Sequence, residues 1–433
     1  MLRTIDLRGR SLTASDLLAA VPRAGVARAD ALTAAAAIVS DVAERGEVAL
    51  REQASRFDGV QGHALRVPRE HFDEALARLD AEVRAALEEA IDRVRRASAA
   101  QVPPVQRTQV APGAVVEQRW RPVGRAGVYV PGGKAVYPSS VVMNVVPAQV
   151  AGVERIALAS PPQADHDGRV HPDILAAARL LGIDEVYAVG GAGAVAAFAH
   201  GVPEIDLDPV DVVTGPGNNF VASAKRVVAG LVGVDSEAGA TEILIVADAG
   251  ADPRLVAADL ISQAEHDEQA SAVLVTPSSE LAEAVGREVR ARVAGTRNAA
   301  RATEALRGVQ SATVLVDDVD TAIAFSNAYA PEHLEVFLDD PGVDRFVNAG
   351  AVFVGAYSPV SLGDYLAGSN HVLPTGGQAR YSSGLSASTF LRPQQVIHYD
   401  RDALAAVADG IVALAQAEEL PAHGEAVTAR FEA

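Results

Sequence analysis

Gln263-Ala264-Glu265-His266 sets an amide oxygen and an imidazole three residues apart. In a helix the two share one face. The chain has no cysteine and only ten histidines, so a metal site here must be built from nitrogen and oxygen donors. Imidazole is a common zinc ligand and an amide oxygen a rarer one. The same spacing also occurs on ordinary polar helix faces. Three more polar signals can be weighed as completing the site: Ala330-Pro331-Glu332-His333, Gly363-Asp364-Tyr365 and Ala422-His423. His333 titrates near neutrality and can take an alcohol proton, and a carboxylate such as Glu332 can activate water. That pair lies between a helix ending before Pro331 and a strand expected from Leu334, a junction that is also commonly just polar surface. Asp364 falls in a turn-rich stretch, 361–370, where aspartate often caps backbone amides. His371 belongs either behind the site or on the surface, and His423 lies in a plain tail. Taken together, these residues point to a zinc-dependent enzyme.

Glycine turns form a second set. Gly191-Ala192-Gly193-Ala194-Val195-Ala196 follows an expected strand and opens a helix, the G-x-G-x-x-A pattern of dinucleotide binding. Gly215-Pro216-Gly217-Asn218 and Pro131-Gly132-Gly133, the latter after Tyr129, are two further concavities. Three such turns after three strands suit a nucleotide cleft at the strands' carboxyl ends, and plain tight turns equally well.

The elements that must position these residues follow from periodicity. Residues 32–47 and 68–99 place apolar residues three and four apart and predict helices. From about 127, β-branched runs alternate with helical ones. A first series has strands at 128–130, 155–159, 185–189 and 211–214, and a second has strands at 242–246, 272–275, 313–316 and 334–337. In the second series the helix carrying Gln263 and His266 is expected over 252–268. Strand–helix alternation implies parallel sheets with helical crossovers. The expected fold is α/β: two doubly wound Rossmann-like units with parallel sheets, an N-terminal helical region and a small C-terminal tail domain.

The bulk properties narrow the function. Hydrophobic residues are 49% of the 433 and charged residues 21%, enough for a large core. A net charge of -19 repels phosphate backbones and argues against nucleic acid. Without cysteine there are no disulfides and no thiol nucleophiles, which suits a cytoplasmic protein. Met1 to Asp6 show no signal-peptide core. The uncharged stretch 135–153 holds Pro138, Asn144, Pro147 and Gln149, and reads as loop plus buried element rather than a membrane span.

In this order the segments resemble the histidinol dehydrogenase family over almost the whole chain. The resemblance begins with Ala49-Leu50-Arg51-Glu52 and Ser55-Arg56-Phe57-Asp58-Gly59 and runs through Tyr129-Val130-Pro131-Gly132-Gly133, the run 139–147, Gly190-Gly191-Ala192 and Gly215-Pro216-Gly217-Asn218. It continues through Ala238-Gly239-Ala240-Thr241-Glu242, Gln263-Ala264-Glu265-His266, Pro331-Glu332-His333-Leu334-Glu335 and Gly363-Asp364-Tyr365, and ends on Ser369-Asn370-His371 and Ala422-His423. It implies oxidation of L-histidinol to L-histidine through the aldehyde, with one Zn2+ per subunit and NAD. It implies Gln263, His266, Asp364 and His423 as zinc ligands and Glu332 and His333 as the catalytic pair. Thr241 and Glu418 fall at substrate positions beside the metal ligands and His333, and Tyr129, Asn218 and Gly193 at NAD positions. It further implies a homodimer in which each tail, with His423, completes the partner's site. The expected division is an extension over 1–25, a metal and catalytic half over 26–130 and 237–381, an NAD half over 131–236, and a swapped tail over 382–433. Three residues depart from the family pattern. Gly193 stands where glutamine usually touches NAD, Thr241 replaces serine, and Ala240 replaces proline. The alternatives are a relative acting on another small alcohol, such as a sulfonated propanediol, and a zinc hydrolase. Glu418 and His423 favour the imidazole-bearing substrate, and no added Arg or Lys appears over 361–375 to hold a sulfonate.

Overall fold

The computed structural model describes residues 2–23, 28–132, 136–236 and 239–432, so Met1, Gly133 and Ala238 of the segments above lie outside the described residues. Fourteen strands occur among the described residues. They are β1 (Arg3–Asp6), β2 (Gln106–Ala111), β3 (Ala114–Pro122), β4 (Arg125–Tyr129), β5 (Arg155–Ser160), β6 (Val186–Ala188) and β7 (Val212–Thr214). The rest are β8 (Gly233–Val234), β9 (Glu242–Ala247), β10 (Ser271–Thr276), β11 (Ala312–Leu315), β12 (His333–Phe337), β13 (Ala351–Val354) and β14 (Leu391–Tyr399). The chain divides into two units, Met1–Gln101 with Gly124–Phe390, and Val102–Val123 with Leu391–Ala433.

The first unit holds two all-parallel sheets, as the strand–helix alternation implies. One has six strands in the order β1-β11-β10-β9-β12-β13, the other five in the order β6-β5-β4-β7-β8. The central strands β9 (EILIVA) and β10 (SAVLVT) are buried along their whole length. Helices on both faces leave no solvated side, so their sequences are almost continuously apolar.

Strand pairing draws the internal boundaries differently from the expected division. β4 sits in the middle of the five-stranded sheet, so residues 125–129 belong with the 131–236 segment. The helical lead-in packs there too. Helix Arg28–Arg45 lies on helices Gly191–His200 and Asn219–Val228, Arg69–Arg78 on Pro172–Leu180, and Ala81–Ala99 on Pro138–Ala151. Each amphipathic stripe buries itself on the nearest apolar helix. The N-terminal extension supplies β1, an edge strand in register with β11.

The second unit is an antiparallel sheet in the order β14-β3-β2, with helices Arg401–Ala417 and Pro421–Thr428 packed on each other. The expected tail therefore recruits residues 102–123. β2 and β3 give no period-two apolar signal, because β2 is exposed along its length and β3 carries its apolar and polar residues in blocks, AVV and then EQR. Among the described residues no helix is long and apolar enough to cross a membrane.

Candidate active site

Helix Pro253–Ala264 opens with Asp252 as N-cap and Pro253 in its first turn, a strong start signal. Val256, Ala257 and Leu260 are fully buried and fix its face; a buried leucine of this kind contributes about 1.5–3 kcal/mol. The helix is shorter than expected. It ends at Ala264, and Glu265 closes it by donating its N–H to Ile261. An Asp267 turn, whose carboxylate accepts from the N–H of Gln269, competes with continuation. His266 thus lies just past the helix end and does not share a helical face with Gln263.

Gln263 is buried at 2% exposure, and its amide orientation is fixed by a chain of bonds. Thr241 donates its only hydroxyl hydrogen to Glu332 Oε2 at 2.6 Å. The hydroxyl oxygen must then accept, and Gln263 Nε2 donates to it at 2.6 Å. Gln263 Oε1 is left buried with no hydrogen-bond partner. An orphaned buried amide oxygen costs free energy unless something takes it. Together with His266 and Asp364, which interact with each other electrostatically, it makes up a nitrogen–oxygen donor set of the kind that fits zinc.

Glu332 and His333 sit at the amino end of β12, and Thr241 immediately precedes β9, the strand paired with β12. Glu332 Oε2 also accepts the N–H of Glu242 at 2.8 Å. Ala330, two residues earlier, holds φ +50, a left-handed conformation that costs a non-glycine residue about 1–3 kcal/mol. Gly350 allows the close approach, since a Cβ there would meet Glu332 O at 2.5 Å. His333 Nδ1 lies 3.1 Å from the carbonyl of Glu242. A carbonyl only accepts, so Nδ1 carries the hydrogen and Nε2 keeps its lone pair. Burial holds His333 below the usual histidine range and so keeps it neutral. Burial also pushes the Glu332 carboxyl up to about 8, against the two hydrogen bonds it accepts.

Asp364 lies on a short helix, Val360–Tyr365, rather than in the expected turn. Gly363 makes this possible, because a Cβ would strike the Phe353 ring at 2.5 Å. That ring packs in turn against the His333 imidazole at 6.0 Å between centroids. His371 is placed behind the site. Its Nδ1 donates to the carbonyl of Asp364 at 2.8 Å, and its Nε2 receives the Ser140 hydroxyl at 3.0 Å. Desolvation lowers the His266 pKa, with the Asp364 charge opposing it. In the sequence Ser140 stands out only as part of the 139–147 run of the resemblance, since one serine in an apolar helix carries no signal of its own. Asp259 carries no signal in the sequence, and Glu335 only its place in the segment 331–335. Glu335 and Asp259 form a buried carboxyl pair between β12 and the Gln263 helix, in which burial drives Glu335 up to about 10 and Asp259 up to about 6.

The first unit thus gathers Thr241, Gln263, His266, Glu332, His333 and Asp364, with His371 behind them. Glu418 and His423 are carried by the second unit, both solvent-exposed. Glu418 caps helix Arg401–Ala417, and His423 sits in the first turn of Pro421–Thr428, which is helical rather than featureless. Among the described residues no three His, Asp or Glu side chains form a metal cluster by themselves.

The other expected site residues lie at the carboxyl end of the five-stranded sheet. Tyr129 ends β4, and its hydroxyl accepts the N–H of Gly191 at 3.1 Å. Gly215 follows β7 at φ +118, where a Cβ would lie 1.9 Å from the Tyr129 carbonyl. Asn218 Oδ1 caps helix Asn219–Val228 by accepting from the N–H groups of Phe220 and Val221. Gly193 is buried within helix Gly191–His200, and a Cβ there would meet Gln53 Oε1 at 2.3 Å. That oxygen is the movable end of a long side chain, and the nearest atom of another residue, a methyl of Leu50, lies at 3.4 Å.

Comparison with known proteins places this arrangement. Residues 21–431 match the family described as histidinol dehydrogenase. The chain is 64% identical over 433 residues to a histidinol dehydrogenase of Leifsonia xyli subsp. xyli, covering 100% of this chain and 99% of the relative. It is 58% identical over 433 residues to one of Mycolicibacterium smegmatis, covering 99% and 97%. The crystal structure of histidinol dehydrogenase from Elizabethkingia anophelis aligns with a TM-score of 0.91 at 32% identity, over 100% of this chain and 98% of that one. An acetylating aldehyde dehydrogenase from Geobacillus thermoglucosidasius shares the fold at a TM-score of 0.50 and 14% identity, over 87% of this chain and 95% of that one.

Proposed function

The chain belongs to the histidinol dehydrogenase family, an oxidoreductase family of histidine biosynthesis, and from that premise we propose a zinc- and NAD-dependent four-electron oxidation of L-histidinol to L-histidine through L-histidinaldehyde. The observation that carries this reading is the chain Gln263–Thr241–Glu332. It holds a catalytic carboxylate and leaves one buried amide oxygen free for a cation.

Gln263 Oε1, His266 and Asp364 would hold the ion, with His423 as fourth donor from the partner subunit of a homodimer. When bound, zinc supplies Lewis-acid and templating chemistry, and NAD accepts the hydrides. His333 Nε2 takes the alcohol proton as hydride leaves the carbinol carbon. Its ring cannot turn away, because Nδ1 is tied to the carbonyl of Glu242. Glu332 then draws a proton from water so that the aldehyde is hydrated, and His333 serves again in the second hydride step. Thr241 keeps Glu332 Oε2 occupied and so directs Oε1 to the reacting water. Glu418 contacts the substrate. Tyr129 and Asn218 contact the dinucleotide, the latter through its Nδ2 because Oδ1 caps a helix. Gly193 contributes only backbone at its position.

The test is direct. Protein loaded with zinc and mixed with L-histidinol and NAD forms NADH, and removal of the metal by a chelator stops it until zinc is restored. No NADH from the zinc-loaded protein would refute the proposal and leave another small alcohol or a hydrolase.

A further inference from the structure

A buried ion pair stands at the end of the five-stranded sheet and has no part in the chemistry above. The side chains of Lys225 and Asp235 are 1% and 3% exposed, and Nζ lies 2.5 Å from Asp235 Oδ1. The same ammonium donates to the carbonyl of Gly215 and, at 3.4 Å, to that of Ser236. The other carboxylate oxygen, Asp235 Oδ2, accepts the N–H of Gly215 at 2.8 Å. Both polar backbone groups of one glycine are therefore held by one ion pair.

The elements involved explain what this fixes. Lys225 lies in the last turn of the helix that Asn218 opens, and Asp235 follows β8, the neighbour of β7. Gly215 leaves β7 against the backbone of Tyr129, in a conformation closed to other residues. Residues 215–218 are thus tied to the strand beside them and to the helix after them. A buried ion pair is a poor way to gain stability, since apolar residues of similar size are often neutral or better. What apolar residues cannot do is hold a peptide N–H and its carbonyl in set directions.

We propose that Lys225 and Asp235 are positioning residues for nicotinamide dinucleotide binding, setting the Gly215–Asn218 turn in the shape that receives the cofactor. The proposal rests on the NAD assignment above. It acts through the loop and not through the reacting atoms, so it predicts a loss confined to the dinucleotide.

The test uses the zinc-loaded enzyme and two variants. Lys225→Met/Asp235→Leu removes both charges together, and Asp235→Asn keeps an oxygen for the Gly215 N–H. NAD binding is read by calorimetry without substrate, and KM and kcat are read with it. The expected result is an NAD Kd and KM raised about tenfold or more in the double variant, with kcat at saturating NAD, histidinol KM and zinc content unchanged. Asp235→Asn shows a smaller rise and carries the test if the double variant does not fold. Unchanged NAD binding in a folded variant overturns the proposal, as does a loss of histidinol and zinc affinity in step with NAD. Wild-type enzyme that binds no NAD removes the functional reading itself, which is a distinct outcome.

Discussion

The two parallel sheets of the first unit use opposite ends. In the six-stranded sheet the polar residues gather at the amino end, where Thr241 precedes β9, Glu332 and His333 enter β12, and the Gln263 helix finishes. In the five-stranded sheet the glycine turns gather at the carboxyl end, after β4, β6 and β7. The difference is electrostatic. A helix C-terminus presents free carbonyls and partial negative charge, which suits a cation, whereas a helix N-terminus presents N–H groups, which suit a phosphate. One region works through interlocked side chains, the other through backbone shaped by glycine.

That contrast can be broken from the side-chain region first. His333→Asn should lower both hydride steps by about 10²–10⁴-fold with little change in NAD KM, because it removes a proton acceptor and leaves the glycine turns intact. NADH formation from histidinol and from histidinaldehyde checks this. Glu332→Gln should leave alcohol oxidation near wild type and slow aldehyde oxidation by about 10²-fold. The pH dependence follows from the same residue. Burial pushes its carboxyl up to about 8, and the base is the ionised form. Wild-type aldehyde oxidation should therefore fall as pH drops through that value, and the variant should lack the limb.

The backbone region predicts the reverse pattern. Gly215→Ala forces a Cβ into the Tyr129 carbonyl at a positive φ, where the backbone conformation alone costs about 1–3 kcal/mol. It should raise NAD KM about tenfold or more while zinc content stays at wild type. A loss of zinc in this variant would show that the two regions are not separable.

The smallest effect concerns stability. Glu335 is fully buried beside Asp259, and its carboxyl is pushed up to about 10. The folded-state value is raised, so the stability it contributes is complete below the unfolded value and is lost as pH rises toward 10. Glu335→Gln has no such loss. It should gain on wild type by roughly 1–2 kcal/mol between about pH 5 and about pH 9, a figure cut because Asp259 is partly solvated and shares the charge. Denaturant unfolding at the two pH values checks it.

The sequence made the glycine region legible as structure, because strand, glycine and helix follow each other within a few residues. It made the side-chain region legible only through the joint order of motifs. Gln263, Glu332 and Asp364 come from three elements far apart in the chain, and each alone is an ordinary polar residue. The contacts that give them meaning are long-range. Thr241 orients Gln263 across 22 residues and Glu332 across 91. Periodicity carries the expected helix past its true end, through Glu265 and His266, while a local Asp267 turn stops it. The antiparallel sheet of the second unit escaped because exposed strands carry no alternating apolar signal.

The central claim is that the amino end of the six-stranded sheet is a cation site. Anomalous diffraction at the zinc edge, from crystals grown with zinc, L-histidinol and NAD, tests it most directly. The account predicts one strong peak per subunit against Gln263 Oε1, His266 and Asp364. A zinc peak elsewhere, with Gln263 Oε1 still unpartnered, would contradict it.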